Sequence, residues 1–409
     1  MLAALFVYAT LFVGLKSRPM DFHVYYCAAE RLRDGGDIYK IGPEGAFSYP
    51  PFAAWAFVPL TAFPLRAAQW GWALLQGAAL VLVVHLSARL SRPAWQSLSP
   101  AQLRWFIALV AVMAVRHLHA PLESSQTDLM ITAMCLTGVV CLQSKRWEWW
   151  VSLPLAAAVG MKAAPLLFVP FLMRWRRWNA AAATLVVVIV FNMMPSVQFP
   201  GASGRWHWRE WVDSMASPAM QSGPAAARAG VWRADEEFNQ SLGGTLNRYF
   251  IKGCYSADAL LVRLDKRSVN LIFVGVTLAL MGIAMFVRRG RWHGLGGAAV
   301  RPDGVDAAVV MMLILLLSPK TSKAHYCSVL LPVMLLTADA VRAPRSWKSI
   351  LWLILGLAIG VMTKDIVGRK AGNWLLDYGY LAWFAVAVLG FLWLRRTEDE
   401  PVSPESSLR

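Results

Sequence analysis

Three side chains stand where chemistry on a charged substrate would need them: a carboxylate at Asp21, an ammonium at Lys162 and an imidazole at His325. Asp21 follows the first apolar run, just after Lys16 and Arg18. A carboxylate kept beside lipid is poorly solvated, which raises its pKa toward that of a base unless a cation holds it ionised. The same residue precedes a helical run that ends at Gly35-Gly36, so it could also cap that helix. Lys162 lies inside "AAAVGMKAAPLLF". An ammonium there is costly in lipid unless it snorkels to water or meets an anion. "SPKTSKAHY" adds Lys320, Lys323 and His325, and "NQSLGGTLNR" adds Asn239, Gln240 and Arg248. Amides suit sugar hydroxyls and a guanidinium suits phosphate. "HLHAPLESSQTDLM" brings His117, His119, Glu123, Gln126 and Asp128 into one stretch. Histidines at i, i+2 do not share a helical face, so no metal site is expected there.

These groups are set in a greasy chain. It has 409 residues, 57% hydrophobic and only 16% charged, which excludes an ordinary soluble domain and points to a polytopic all-α membrane protein. No period-2 alternation suggests a barrel. The first run, "MLAALFVYATLFVGL", has no basic stretch before it and no A-x-A after it, and reads as a retained helix. A net charge of +16 would suit nucleic acid, but the Lys and Arg fall in short clusters between apolar runs, as the positive-inside rule requires. No nucleic-acid partner is expected. Five scattered cysteines without C-x-x-C spacing signal neither a disulfide framework nor zinc. No cofactor is implied.

The basic clusters order the spans. Placing Arg89/Arg92, Lys145/Arg146, Arg174/Arg176/Arg177, Arg288/Arg289/Arg291, Arg342/Arg345/Lys348 and Arg395/Arg396 in the cytoplasm gives about twelve passes with the N-terminus inside. Segments near 2–15, 67–88, 103–119, 128–143, 180–197, 268–287, 306–317, 327–341, 349–363 and 377–394 cross. The stretch "VSLPLAAAVGMKAAPLLFVPFLM" is too short for two full spans and reads as a hairpin of short helices with Lys162 near its tip. One domain, 1–396, then carries outward loops at about 16–65, 198–266, 318–326 and 364–376, and 397–409 forms a disordered cytoplasmic tail. Lys162, Arg248, Lys320, Lys323 and His325 gather on the outer rim, where few cations are expected, and a phosphate anchored in the outer leaflet is their complement.

In chain order, the sequence shows a first-loop Asp21, "GGDIYKIGPEGAFSYPPFAAWAFVPL", "SSQTD", "AVGMKAAP", "NQSLGGTLNR" and "SPKTSKAHY". This series resembles the GT-C-type membrane glycosyltransferases and, more narrowly, glycosyltransferase family 87. That family includes polyprenyl-phosphate-mannose-dependent α-mannosyltransferases. The sequence departs from the family pattern at Ser125 and Asp128, and it has Ala324 before a single His325. The resemblance implies Asp21 as general base, and Lys162, His325, Arg248, Lys320 and Lys323 around the donor phosphate. Tyr49, Gln126, Asp128, Asn239 and Gln240 are implied to contact substrate. The implied reaction moves a sugar, mannose above all, from a polyprenyl-phosphate donor to an outer-face glycolipid or glycan, by direct displacement with inversion. The implied location is the bacterial plasma membrane, with the site facing the periplasm. A transporter or flippase of a lipid-linked sugar would need the same cations but no base.

Overall fold

The computed structural model describes residues 1–17, 20–144, 148–217, 236–252, 262–286 and 301–398. The expected clusters at Lys145/Arg146 and Arg288/Arg289/Arg291, Arg18, Cys254 and the tail beyond residue 398 lie outside the described residues. The described chain is helical, with no strand beyond a single bridge between Gly42 and Gly45.

The order is α1 Leu2–Gly14, α2 Met20–Arg33, α3 Pro51–Phe57, α4 Leu65–Trp95, α5 Pro100–Ser124, α6 Asp128–Leu142, α7 Ser152–Met161, α8 Phe168–Arg174, α9 Trp178–Gln198 and α10 His207–Trp211. After them come α11 Leu242–Asn247, α12 Lys266–Phe286, α13 Gly304–Leu317, α14 Leu330–Arg342, α15 Trp347–Val361, α16 Lys364–Val367, α17 Arg369–Asp377 and α18 Tyr380–Glu398. Among the described residues, five helices are long and apolar enough to cross a membrane, or six if the pair α17–α18, bent by 57°, is one span. Six shorter apolar helices accompany them. The architecture is thus an all-α membrane bundle.

Local chemistry sets the helix ends. Ser99 and Gln102 close a capping box on α5 with Pro100 in its first turn, and Asp303 and Asp306 do the same for α13. The stretch Lys323–Arg342 is the centre of the bundle, buried over 89% of its apolar window, whereas Lys266–Met285 is buried over only 11% and turns its side chains outward. Helix α4 runs on to Trp95, past the expected end near residue 88, so Arg89 and Arg92 ride on its last turns. The segment 51–62, expected within a loop, is a short apolar helix begun by Pro51.

The long connections gather at one end. Ala202 donates its N–H to Gly35 O, Trp211 Nε1 donates to Ser48 O, Gln240 N donates to Thr321 O and Arg248 Nε donates to Asp377 O. The short basic connections meet at the other end: Arg342 donates to Ala94 O and to Ser97 Oγ, and Arg395 pairs with Asp339.

Candidate active site

The α7–α8 hairpin breaks at Lys162 for a backbone reason. A continuing helix would bond the amide of residue 165 to Met161 O, and Pro165 has no N–H to give. Lys162 therefore leaves the helix with φ −160° and ψ 125°. Gly160, two residues earlier, lets the Phe52 ring of α3 lie on the helix; a Cβ there would come within 2.5 Å of that ring.

Asp21 is the second residue of α2, in its first turn, rather than the residue before the helix. The unpaired amides of a helix N-terminus favour a carboxylate there. Aromatic packing fixes the helix: Phe22 stacks on Trp72 of α4 at 5.8 Å, and Tyr25 OH donates to Tyr49 OH at 3.0 Å. Tyr49, from the Tyr-Pro-Pro turn, lies with its ring 5.7 Å from Lys162 Nζ, so it joins the first loop to the hairpin.

The turn between α5 and α6 completes the cluster. Ser125 ends α5 in the left-handed region at φ 57°, and the turn brings the Gln126 amide close to Asp21. Burial holds the Asp21 carboxyl above the ordinary carboxylate value; the Gln126 amide lowers it, Asp128 raises it and Lys162 lowers it again. Asp128 is buried, and its Oδ1 accepts from Lys162 Nζ at 3.1 Å and lies 3.8 Å from His325 Nε2. His325 Nδ1 is held by the Ser322 N–H at 3.1 Å and the Ser322 hydroxyl at 2.9 Å, which turns Nε2 toward the hairpin. That nitrogen meets Lys162 Nζ directly. Two basic groups converge on one point: Lys162 donates to Asp128, His325 lies at ion-pair distance from the same oxygen, and a small cavity of about 30 Å³ beside them is walled by Thr132, Ser318, Ser328 and apolar side chains. An anionic oxygen would suit those two basic groups.

Asp21, Tyr49, Gln126, Asp128, Lys162 and His325 are thus brought together. The other expected residues are placed elsewhere. Arg248 is fully buried and its guanidinium donates to the carbonyls of Asp377, Glu236 and Asn239 at 2.6–2.8 Å, so it serves as a clip between loops. Asn239 and Gln240 belong to the same clip. Asn239 Nδ2 donates to Pro319 O at 3.0 Å, its Oδ1 accepts from Thr321 N at 3.0 Å, and the Gln240 carbonyl accepts from Tyr326 OH at 3.1 Å. They position the turn that carries His325. Lys323 pairs with Glu123 at 2.9 Å, half exposed, and burial lowers the Lys320 ammonium while Glu236 raises it. Gln76 was not singled out from the sequence. It is wholly buried in α4, donates to the Gln126 carbonyl, and its Oε1 has no partner; an amide within the apolar part of a long helix is the signal the sequence offers.

The chain is similar to known membrane enzymes. A polyprenol-phosphate-mannose-dependent alpha-(1-2)-phosphatidylinositol pentamannoside mannosyltransferase of Mycolicibacterium smegmatis is 28% identical over 383 residues, covering 92% of this chain and 76% of the relative. One of the same description from Mycobacterium tuberculosis is 26% identical over 405 residues, covering 93% and 81%. A phosphatidylinositol mannoside mannosyltransferase of M. smegmatis is 24% identical, covering 94% and 88%. No solved structure matches. The sequence model of glycosyltransferase family 87 matches residues 47–319, a span that takes in Tyr49, Gln126, Asp128 and Lys162 and stops just short of His325. A match over more than half of the chain, joined to a bundle of apolar helices, makes this protein a membrane glycosyltransferase belonging to glycosyltransferase family 87.

Proposed function

We propose that the protein transfers a mannosyl unit from a polyprenyl-phosphate donor to the hydroxyl of a phosphatidylinositol-type glycolipid at the outer face of a bacterial plasma membrane. The observation that carries this reading is the division of labour between two neighbouring carboxylates. Asp128 is committed to Lys162 and His325. Asp21 makes no ion pair among the described residues. One acidic group is therefore free to take a proton, opposite a basic pair that can take a phosphate.

In the reaction, the acceptor hydroxyl oxygen attacks the anomeric carbon as Asp21 removes its proton. The bond from that carbon to the phosphate oxygen breaks, and polyprenyl phosphate departs with its negative charge against Lys162 and His325. A single displacement inverts the anomeric carbon, and no second carboxylate is needed as nucleophile. The donor chemistry comes from the relatives' descriptions, whose enzymes depend on polyprenol-phosphate-mannose.

Asp21→Asn tests the assignment. Purified protein in vesicles, given radiolabelled polyprenyl-phosphate-mannose and a phosphatidylinositol mannoside, should lose transfer by at least about 10²-fold and still retain the donor lipid. Wild-type turnover by the variant would remove Asp21 from the mechanism. Movement of the donor across the vesicle by wild-type protein, with no product formed, would make the protein a flippase.

A further inference from the structure

A second group of cations lies beside the His325 turn and has no part in the chemistry above. Arg116 extends from α5 near Tyr380; its Nη1 is buried without a hydrogen-bond partner. Lys364 opens α16, its Nζ 5.6 Å over the ring of Phe238. Burial lowers its ammonium; Glu237 opposes this, and Lys323, Arg369 and Arg116 lower it further, which puts all three cations within electrostatic reach of Lys364. Lys323 is engaged by Glu123. Arg116, Lys364 and Arg369 make no ion pair with any described carboxylate, and Glu237 acts on Lys364 only from beyond ion-pair distance.

The elements that hold them suit the level of a lipid headgroup. Arg369–Asp377 is an amphipathic helix with Trp374 exposed on it, and it bends by 57° into the apolar Tyr380–Glu398. A helix of that kind lies along a membrane interface. Tyr380 OH donates to Met362 O at 3.3 Å, tying this corner to the end of α15 beside Arg116. The cluster is distinct from Lys162–His325, since it shares no side chain with that pair, yet Lys323 is only two residues from His325.

We infer that Arg116, Lys364 and Arg369, with Lys323 at the rim, form an acceptor-anchoring site that binds the phosphodiester of an anionic lipid headgroup. The inference rests on the glycolipid-acceptor reading above. It assigns the two phosphates of the reaction to separate basic sites: the donor's to the hairpin and His325, the acceptor's to the corner between α5 and α16–α17. An acceptor held there by its phosphodiester directs its sugar toward Asp21 without using the groups that carry the leaving phosphate.

The test uses full-length protein in a neutral detergent and short-chain phosphatidylinositol as probe, with binding read by tryptophan fluorescence. Wild type should bind phosphatidylinositol and short-chain phosphatidylglycerol but not phosphatidylcholine. The pair Arg116→Gln and Lys364→Gln should weaken phosphatidylinositol binding by about tenfold or more, as loss of charge-assisted hydrogen bonds would. Donor binding should be unchanged in that variant, which also shows that it is folded, and Arg116→Lys should recover part of the loss. Its acceptor KM should rise with donor KM constant. Equal binding of phosphatidylcholine, unaltered phosphatidylinositol binding by the double variant, or displacement by inorganic phosphate as strong as by the lipid would each overturn the inference. Because binding needs no turnover, Asp21→Asn should bind the probe as wild type does. An active Asp21→Asn would refute the catalytic assignment and leave this site standing.

Discussion

At Asp128 one buried carboxylate holds two basic groups together, Lys162 at 3.1 Å and His325 at 3.8 Å, while its other oxygen has no partner. A pair this enclosed is strongly destabilised when half of it is removed. Lys162→Met should therefore lower unfolding stability by about 3 kcal/mol and abolish transfer. Adding Asp128→Asn should return most of the stability and none of the activity. Thermal unfolding and the transfer assay read the two effects separately, and strictly additive losses would deny the coupling. Asp21 makes a different prediction. Its folded-state pKa is raised, so folding favours the protonated form, and that stabilisation is lost as pH rises through the raised value. A general base must be ionised. The acid limb of the kcat/KM profile should accordingly lie above the ordinary aspartate value of about 3.9, and a limb at or below it would count against Asp21.

Short elements do most of the positioning, and they differ in how far the sequence reveals them. The break at Lys162 is local: Gly160, Lys162 and Pro165 sit within six residues, so the hairpin tip is readable from the pattern alone. Pro165→Ala would restore the N–H that Met161 O lacks and let α7 run through Lys162. The expected result is a fall in transfer of about tenfold or more with the fold kept, because a displacement near 1 Å is enough to cost that much. Wild-type activity in this variant would show that the break is incidental. The opposite case is Arg248. In sequence it looks like an exposed phosphate ligand, but the carbonyls that claim it belong to residues 236, 239 and 377, and nothing local announces such partners. Gln76 was hidden for the same reason, because its partner is the Gln126 carbonyl in another turn. Asp21 falls between these cases: its chemistry is legible from its place after an apolar run, whereas its electrostatic surroundings, with Gln126, Asp128 and Tyr49, arise only when α2, the Tyr-Pro-Pro turn and the α5–α6 turn meet.

Across the whole molecule, the two ends of the bundle differ in the kind of connection they hold. One end carries the short links after α4, α8 and α14, with Arg174, Arg177, Arg342, Arg345 and Lys348 at or beside them. The other carries the site, and the loops there mix both signs: Arg31 pairs with Glu44, Arg205 with Asp213 and Lys323 with Glu123. Short basic links stay in the cytoplasm, while long loops cross regardless of their charge. The site should therefore open on the non-cytoplasmic side, where a lipid-linked donor can enter from the outer leaflet. Two single-cysteine proteins in a cysteine-free background decide this. Ala202→Cys is exposed on the loop that bonds Gly35, and Ser97→Cys is exposed beside Arg342. In intact cells a membrane-impermeant maleimide should label residue 202 at once and residue 97 only after lysis. The reverse pattern would turn the molecule over, put Asp21 and Lys162 in the cytoplasm, and require a donor presented on the inner leaflet.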